Sequence, residues 1–485
     1  MVWDGRKRGR LKRKEAEQNL SSTERINAME TRNMLPLIVS MSIPAVCANI
    51  VSALYTFIDR FYVGHFVGRD ALGSIGLVFP VTNLTSALTI MLSIGGSALM
   101  SGALGEKNVA KANKAFTNIC ALSVLLAILV SITFFLFAEP LVVLCGGTRS
   151  SALYGMAVTY LRITSIGRFF MIVNLALAAA IRSEGNTKYA MIVTMAGAFI
   201  NMGIDPLLIA VLHMNLAGAA TSSVISQIIS CLLSVQYFVR GKGVFRWAGR
   251  AALDVKVMLR VAALGAAPAV FQALSFFNNT LINHSLVVYG DTALGAGGGD
   301  LAISAVSVIS SVESFAIMFV MGLNNALSVI ISYNYGHKLY DRVKQATLTG
   351  QLIATASCVI VWGMMMFFPR QLFLLFSSDT ALADYGVRAL HLGKLFIFGL
   401  GTQTLASMYY SAIGQPKRAL LISLSRNGLF LIPSLLILPP LIGLDGVLCS
   451  SSISDGCSLI LVLLMYWYGI RELKQKPALQ NPIME

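Results

Sequence analysis

Charge is what this chain has least of. Asp, Glu, Lys and Arg make up only 12% of its 485 residues, against a hydrophobic share of 56% and a mean hydropathy of +0.73. Soluble globular domains carry about a quarter charged residues, so that class is excluded. Acids are the scarcer sign, 22 Asp and Glu against 37 Lys and Arg. The seven cysteines (Cys47, Cys120, Cys145, Cys231, Cys358, Cys449, Cys457) form no CxxC and are scattered through apolar runs, which excludes a disulfide frame. His65, His213, His284, His337 and His391 lie far apart, and no HExxH or GxSxG occurs. No metal, cofactor or enzymatic constellation is therefore expected. The alternating pattern of a membrane barrel is also missing.

What the chain does have is length in hydrocarbon-compatible runs. Apolar windows recur at 35–63, 73–101, 115–137, 154–180, 190–212, 218–239, 258–288, 301–332, 346–368, 385–412, 420–441 and 447–469. Each is long enough to cross a bilayer, and only a helix satisfies its own backbone there. The sequence predicts an all-α polytopic membrane protein of twelve transmembrane helices. Residues 1–34 form a basic tail suited to anionic lipid, with no signal-peptide core after its charges. Most Lys and Arg fall in the tails and the even-numbered connections, whereas Arg69, Arg149, Arg370 and Arg388 lie on the other side. That asymmetry places both termini in the cytoplasm and makes the net charge of +15 a topology signal, not a nucleic-acid footprint.

The chain also repeats itself. IPAV at 43–46 answers APAV at 267–270, RSEGNTKYA at 182–190 answers SAIGQPKRA at 411–419, and LAGAATSSVISQ at 216–227 answers LDGVLCSSSISD at 444–455. The offset stays between about 224 and 231 residues, with GAGGG at 295–299 taking up part of the slack. Six spans per copy return the chain to its starting side, giving two parallel six-helix lobes, 35–239 and 258–469. Residues 240–257 join them, and Arg246, Arg250 and Lys256 beside Phe245 and Trp247 predict an amphipathic linker lying in the membrane interface. A carboxy-terminal tail, 470–485, completes the chain. Two equivalent lobes with a seam are the plan of an alternating-access transporter. A channel is disfavoured, since no symmetric filter loop is present.

Polar residues inside the spans are costly, about 2.5–3.5 kcal/mol per charge even on lenient scales, and so point to function. In the first span Asn49, Ser52, Thr56 and Asp59 step by three or four onto one helix face, beyond Pro44. Asp59 reads either as an acid snorkelling to the nearby helix end or as a protonatable group in a wet cavity. The fifth span repeats the pattern with Asn201 and Asp205, and Pro206 loosens the backbone beside the carboxylate. In the sixth, Ser223, Gln227, Ser230 and Ser234 share a face, as packing contacts or as lining of the same interior. Two carboxylates in one cavity need a proton or a cation between them.

These residues, together with FIDRFYVGHFVGRDALGSIGL at 57–77, IRSEGNTKYA at 181–190, NMGIDPLLI at 201–209, SYNYGHKLYDRVKQA at 332–346 and GLDGV at 443–447, resemble the multidrug and toxic compound extrusion transporters, in the branch of the bacterial multidrug exporters. The resemblance covers about residues 33–470. It implies that Asp59 and Asp205 form a cation-coupling site supported by Tyr55, Tyr160, Asn174, Asn201 and Ser223, with Pro44 as the point where the first helix bends. Two departures stand out. Arg60 follows Asp59 directly and should reach outward, and Asn279, Asn283 and Lys394 stand where other branches place carboxy-terminal-lobe acids. A substrate cavity is expected to draw on Ser52, Asn279, Asn283, Glu313, Met321 and Asn324. Glu313 reads equally as an attractor of cationic drugs and as an ion-pair partner of Lys394 or Arg426. Asp455 reads as structural, and Arg162 and Arg168 as snorkelling or paired. Met318 and Met321 are core by default, although methionine suits sites that repack around varied ligands.

The expected function is export of organic cations or other amphiphiles against inward protons, by a monomer in the bacterial inner membrane touching only substrate, ion and lipid. Sodium coupling and a flippase for lipid-linked precursors are the alternatives; the flippase would need a more basic cavity than these spans supply.

Overall fold

The computed structural model describes residues 24–474, apart from 146, 148, 150–151, 296–297 and 377–379. The basic run of the amino-terminal tail, most of the carboxy-terminal tail and the centre of the GAGGG insertion lie outside the described residues. Those described are helical almost throughout, with no strand among them. A short helix α1 (24–31) precedes α2 (Met34–Tyr62), α3 (Arg69–Gly105), α4 (Val109–Leu136), α5 (Ala138–Leu144), α6 (Ala152–Ser183), α7 (Thr187–Pro206) and α8 (Asn215–Val239). The second half contributes α9 (Val255–Leu294), α10 (Gly298–Gly336), α11 (Tyr340–Phe367), α12 (Pro369–Phe376), α13 (Thr380–Gly393), α14 (Leu400–Ala412), α15 (Pro416–Leu424), α16 (Leu431–Ile442) and α17 (Leu444–Lys474).

Among the described residues, eleven helices or helix runs are long and apolar enough to cross a membrane. The remaining crossing, expected as one run over 385–412, is broken instead. Helix α13 stops at Gly393, a 3₁₀ turn occupies Ile397–Gly399, and α14 resumes at Leu400. Broken backbone is tolerated at membrane depth only where other groups satisfy it. Here the Leu395 amide donates to Ser452 Oγ (3.2 Å), and Trp362 Nε1 donates to the Leu395 carbonyl (3.0 Å).

Contacts divide the chain into two compact units, residues 1–265 with 328–338 and residues 266–327 with 339–485. In the first, α6 is the hub, packed on α3, α4 and α8, while α2 lies along α7 and α7 along α8. The end of α10 belongs to this unit because glycine lets it approach α3 backbone to backbone. A Cβ on Gly105 would sit 1.9 Å from the Tyr333 carbonyl oxygen, and one on Gly336 2.1 Å from that of Gly102. Neither neighbour is a side chain that can turn away. Gly105→Ala should therefore push the helices apart at a cost of about 1–3 kcal/mol, read as a lower melting temperature in nanodiscs. In the second unit, α16 packs on α17, α11 on α14 and α13 on α17, around a core that includes Leu286, Phe373, Ala383, Leu390 and Leu444.

The two aromatic residues of the linker after α8 differ in their surroundings. Phe245 is 1% exposed and stacks on Phe116 of α4 (centroids 5.6 Å), and of the two linker aromatics only Trp247 is exposed. The physical reason is hydrogen bonding: the α4 end offers side-chain acceptors at Asn113, Thr117 and Asn118 that take the amides of Arg246, Ala248 and Asp254 at 2.7–2.9 Å.

Candidate functional site

Three π turns lie beside or carry charged residues of the spans. The α2 helix passes through a buried Pro44 and, beyond Asp59, opens into a π turn at Val63–Val67. Helix α7 does the same at Leu207–Val211, directly after Asp205 and Pro206. A third π turn, Ser425–Phe430, joins α15 to α16 and carries Arg426. Such turns are rare and favour functional positions, because one inserted residue re-aims the side chains around it.

The first two turns lie against each other, and the acids meet beside them. The carboxyl groups of Asp59 and Asp205 stand close enough to act on each other electrostatically. Asp205 is 0% exposed and Asn201, one turn earlier, 1%. Ser222 of α8 links them, donating to Asp205 Oδ1 while accepting from Asn201 Nδ2 at 3.1 Å. Three oxygens of this cluster are buried without a partner among the described residues: Asp59 Oδ1, Asp205 Oδ2 and Asn201 Oδ1. Beyond the acids, Val63, Ile209, Leu216 and Ala219 form an apolar cluster on which Tyr160 packs. The tyrosines Tyr55 and Tyr160 both stand close enough to Asp59 to sense its charge. Arg60 is exposed, pointing away as its place on the helix requires.

The other expected site residues distribute unevenly. Ser223 is half-buried, whereas its neighbour Ser222 carries the bond to Asp205. The serine stripe does not single out Ser222; only its register one residue off that face could have. Asn174 accepts from Ser234 Oγ at 2.7 Å. Ser234 lies twelve residues beyond Ser222 on α8, about 18 Å along the axis, so Asn174 is not brought to the acid pair. Ser52 is half-buried, and its carbonyl accepts from Thr56 Oγ1.

In the second unit Asn279 and Asn283 are exposed, Met321 is half-buried, and Asn324 is buried with its Oδ1 unpartnered among the described residues. Asn278, not singled out from sequence, is buried and donates to the Asn427 carbonyl at 2.8 Å. Glu313 is paired. Lys394 Nζ, at the break after α13, reaches it at 2.5 Å, and Arg426 Nη2 lies 3.5 Å away. Arg426 Nε in turn bonds Asp455 Oδ1 at 2.5 Å. Two cations and two acids thus form one chain of ion pairs linking α10, the break after α13, the third π turn and α17. Arg162 pairs with Glu139 at 2.9 Å, and Arg168 lies over the Phe134 ring at 5.0 Å. Among the described residues, no group of three or more His, Cys, Asp or Glu could hold a metal ion.

A twice-repeated set of membrane-crossing helices, with ionisable groups gathered inside each unit, defines a polytopic helical transporter fold. The MatE family matches the chain twice, over residues 44–207 and 275–437, once in each sequence repeat, and the chain belongs to that family. It is 23% identical over 447 residues to the multidrug export protein MepA of Staphylococcus saprophyticus, spanning 91% of this chain and 96% of MepA. MepA of Staphylococcus aureus strain N315 is 23% identical over 449 residues, 91% of this chain and 96% of that one. Among solved structures, the MATE multidrug transporter DinF-BH in complex with R6G superposes with a TM-score of 0.83 at 31% identity, covering 92% of this chain and 98% of that one. The outward-facing form of a multidrug resistance MATE transporter of the MOP superfamily gives a TM-score of 0.84 at 21% identity, over 93% and 99% of the two chains.

Proposed function

We propose that this protein exports organic cations and other amphiphilic drugs, driven by inward proton flow through Asp59 and Asp205. Multidrug export is the named activity of the MepA relatives, and DinF-BH is named a multidrug transporter. The observation that carries the proton is the meeting of two carboxyls from separate helices in a buried setting. Two carboxyls this close and this little hydrated cannot both carry a charge cheaply, so a proton on one of them relieves the pair. A second proton's worth of acceptor remains in the unpartnered oxygens, and Asn201 with Ser222 holds the Asp205 carboxyl in place.

The cycle follows from differential affinity, since an ion can shift a conformational balance only by binding one state better. Proton entry removes charge from the pair, the α2 segment rearranges about Pro44, and substrate is released outside. Proton release to the cytoplasm restores the empty carrier. The arginine and lysine asymmetry of the connections supports cytoplasmic termini in a bacterial inner membrane. Proteoliposomes loaded with R6G test the reading. Efflux is expected to follow an imposed pH gradient with sodium absent on both sides. Efflux that follows a sodium gradient at equal pH, and ignores the pH gradient, would instead assign the three unpartnered oxygens to sodium.

A further inference from the structure

The two copies of the inter-helix turn differ in one revealing residue. Gly185 and Gly414 hold the same left-handed conformation, at φ 78° and 81°, which glycine adopts freely. Backbone bonds match as well: Gly185 N to the Arg182 carbonyl (2.8 Å) and Asn186 N to Ile181 (3.2 Å) in the first, Gly414 N to Ser411 (3.1 Å) and Gln415 N to Tyr410 (2.8 Å) in the second. The residue before glycine is Glu184 in one copy and Ile413 in the other. The turn needs no acid. Tyr237 is answered in the same register by Tyr466, whose hydroxyl is buried without a partner among the described residues.

Glu184 is 0% exposed. Its Oε1 accepts from the amides of Val244 (2.7 Å) and Phe245 (3.0 Å), and its Oε2 from the Tyr237 hydroxyl (3.0 Å). A Cβ on Gly243 would lie 3.0 Å from the same Oε1, so the linker backbone runs directly over the carboxyl. Of the side chains that hold the linker amides of residues 244, 245, 246, 248 and 254, Glu184 alone titrates; Asn113, Thr117 and Asn118 do not. Arg25 of α1 faces it electrostatically, and Met29 of that helix packs over Gly185. The other nearby cations are engaged elsewhere. Arg182 donates to Ser93, Arg246 to the Gly243 carbonyl, and Lys242 sits over the Tyr189 ring.

We propose that Glu184 is a proton-operated latch: protonated, it holds residues 243–245 on the amino-terminal unit, and ionised, it releases them. A neutral Glu184 gives up only the donation from Tyr237, whose hydroxyl also accepts from Asn186 Nδ2 at 3.2 Å. Its Oε2–H donates to Tyr237 while its Oε1 still accepts both amides. Ionised, it keeps three donors but becomes a charge shut away from water. Burial accordingly pushes the carboxyl from its ordinary 4.5 up to about 7, against the pull of Phe245 N–H, the Tyr237 hydroxyl, Val244 N–H and Arg25. The sign follows from linkage. The docked form binds the proton more tightly than the released one, so docking is strongest below the ordinary carboxyl range and weakens as pH rises through 7. Between about pH 6 and 8 the docking equilibrium should fall about tenfold. Resting on the exporter reading, this slackens the connection between the repeats when the cytoplasm is alkaline and tightens it when protons have accumulated there.

Hydrogen exchange of the 243–248 segment in nanodiscs, with no gradient and no substrate, tests the latch apart from transport. Protection factors at Val244 and Phe245, corrected for intrinsic exchange, are expected to drop about tenfold from about pH 6 to pH 8 in the natural protein. Glu184→Gln, which keeps the acceptor and cannot ionise, should stay protected with no step, and Glu184→Ala should be unprotected at both. A flat natural profile, or a step surviving in Glu184→Gln, overturns the latch. Efflux measured at one fixed pH difference while the cytoplasmic-side pH is varied then decides its link to transport. Glu184→Gln should flatten that dependence, and an unchanged one severs the link while leaving coupling through Asp59 intact.

Discussion

Asp59→Asn is expected to reduce proton-driven efflux to the level of protein-free liposomes, while the protein still folds, purifies and binds R6G. Asparagine preserves shape and polarity, but it cannot take up and give back a proton. Without that difference between states the gradient has nothing to act on. The packing argument points the same way. Asp59 is half-buried on a helix whose other face, with Leu54 and Phe57, is exposed and apolar, so the substitution leaves no void and no lipid-facing defect. Two companions sharpen the result. Ser222→Ala removes a hydrogen bond to a buried carboxyl, costing about 1.5–3 kcal/mol, and should slow efflux and lower the melting temperature together. Ser223→Ala, one residue away and half-buried, should do neither. If Asp59→Asn retains full gradient-driven efflux, the coupling assignment is wrong whatever the fate of the serines.

How far the chain can be read without coordinates depends on the physics behind each feature. The span count comes from hydrocarbon length, which is local, and the repeat from matched segments such as 182–190 and 411–419; the family matches once in each repeat. The acid pair is legible because Asp59 and Asp205 each have to hide a charge, and each stands beside a proline or a helix end. The choice between Ser222 and Ser223 is not, because they are neighbours on α8 and only the packing of α8 against α7 shows which hydroxyl reaches Asp205. The break after Gly393 has weak signals in Gly393, Gly399 and Gly401, outweighed by the apolar composition of the run. The docked linker escapes for a similar reason. Composition shows that Phe245 is apolar, but not that Phe116 waits for it or that Asn113, Thr117 and Asn118 line up beneath its backbone.

Glu313 leaves two readings on the sequence, and the ion chain decides between them with the second large expected effect. Glu313→Gln should destabilise the protein by about 3–5 kcal/mol, the usual cost of stripping one partner from a buried pair. Among the described residues Glu313 is the only acid that Lys394 bonds, and it stands between Lys394 and Arg426. Its loss therefore leaves the ammonium without a counter-charge and Arg426 with Asp455 alone. That ammonium sits at the break between α13 and α14, where the backbone relies on Ser452 and Trp362. Uncompensated charge there should loosen the broken crossing first. Reversing the pair, Glu313→Lys with Lys394→Glu, keeps the charge count but sets the exchanged ammonium beside Arg426, so it should recover less than half of the loss. Glu313→Met with Lys394→Met removes both charges together and should recover more, since buried pairs are often matched by apolar side chains of similar size. Thermal unfolding in nanodiscs measures all three. Efflux by the folded fraction separates structure from recognition: a structural chain predicts that surviving Glu313→Gln molecules still export R6G along the pH gradient. A carboxylate that gathers cationic drugs predicts normal melting with efflux lost, and that pattern would return Glu313 to the substrate site.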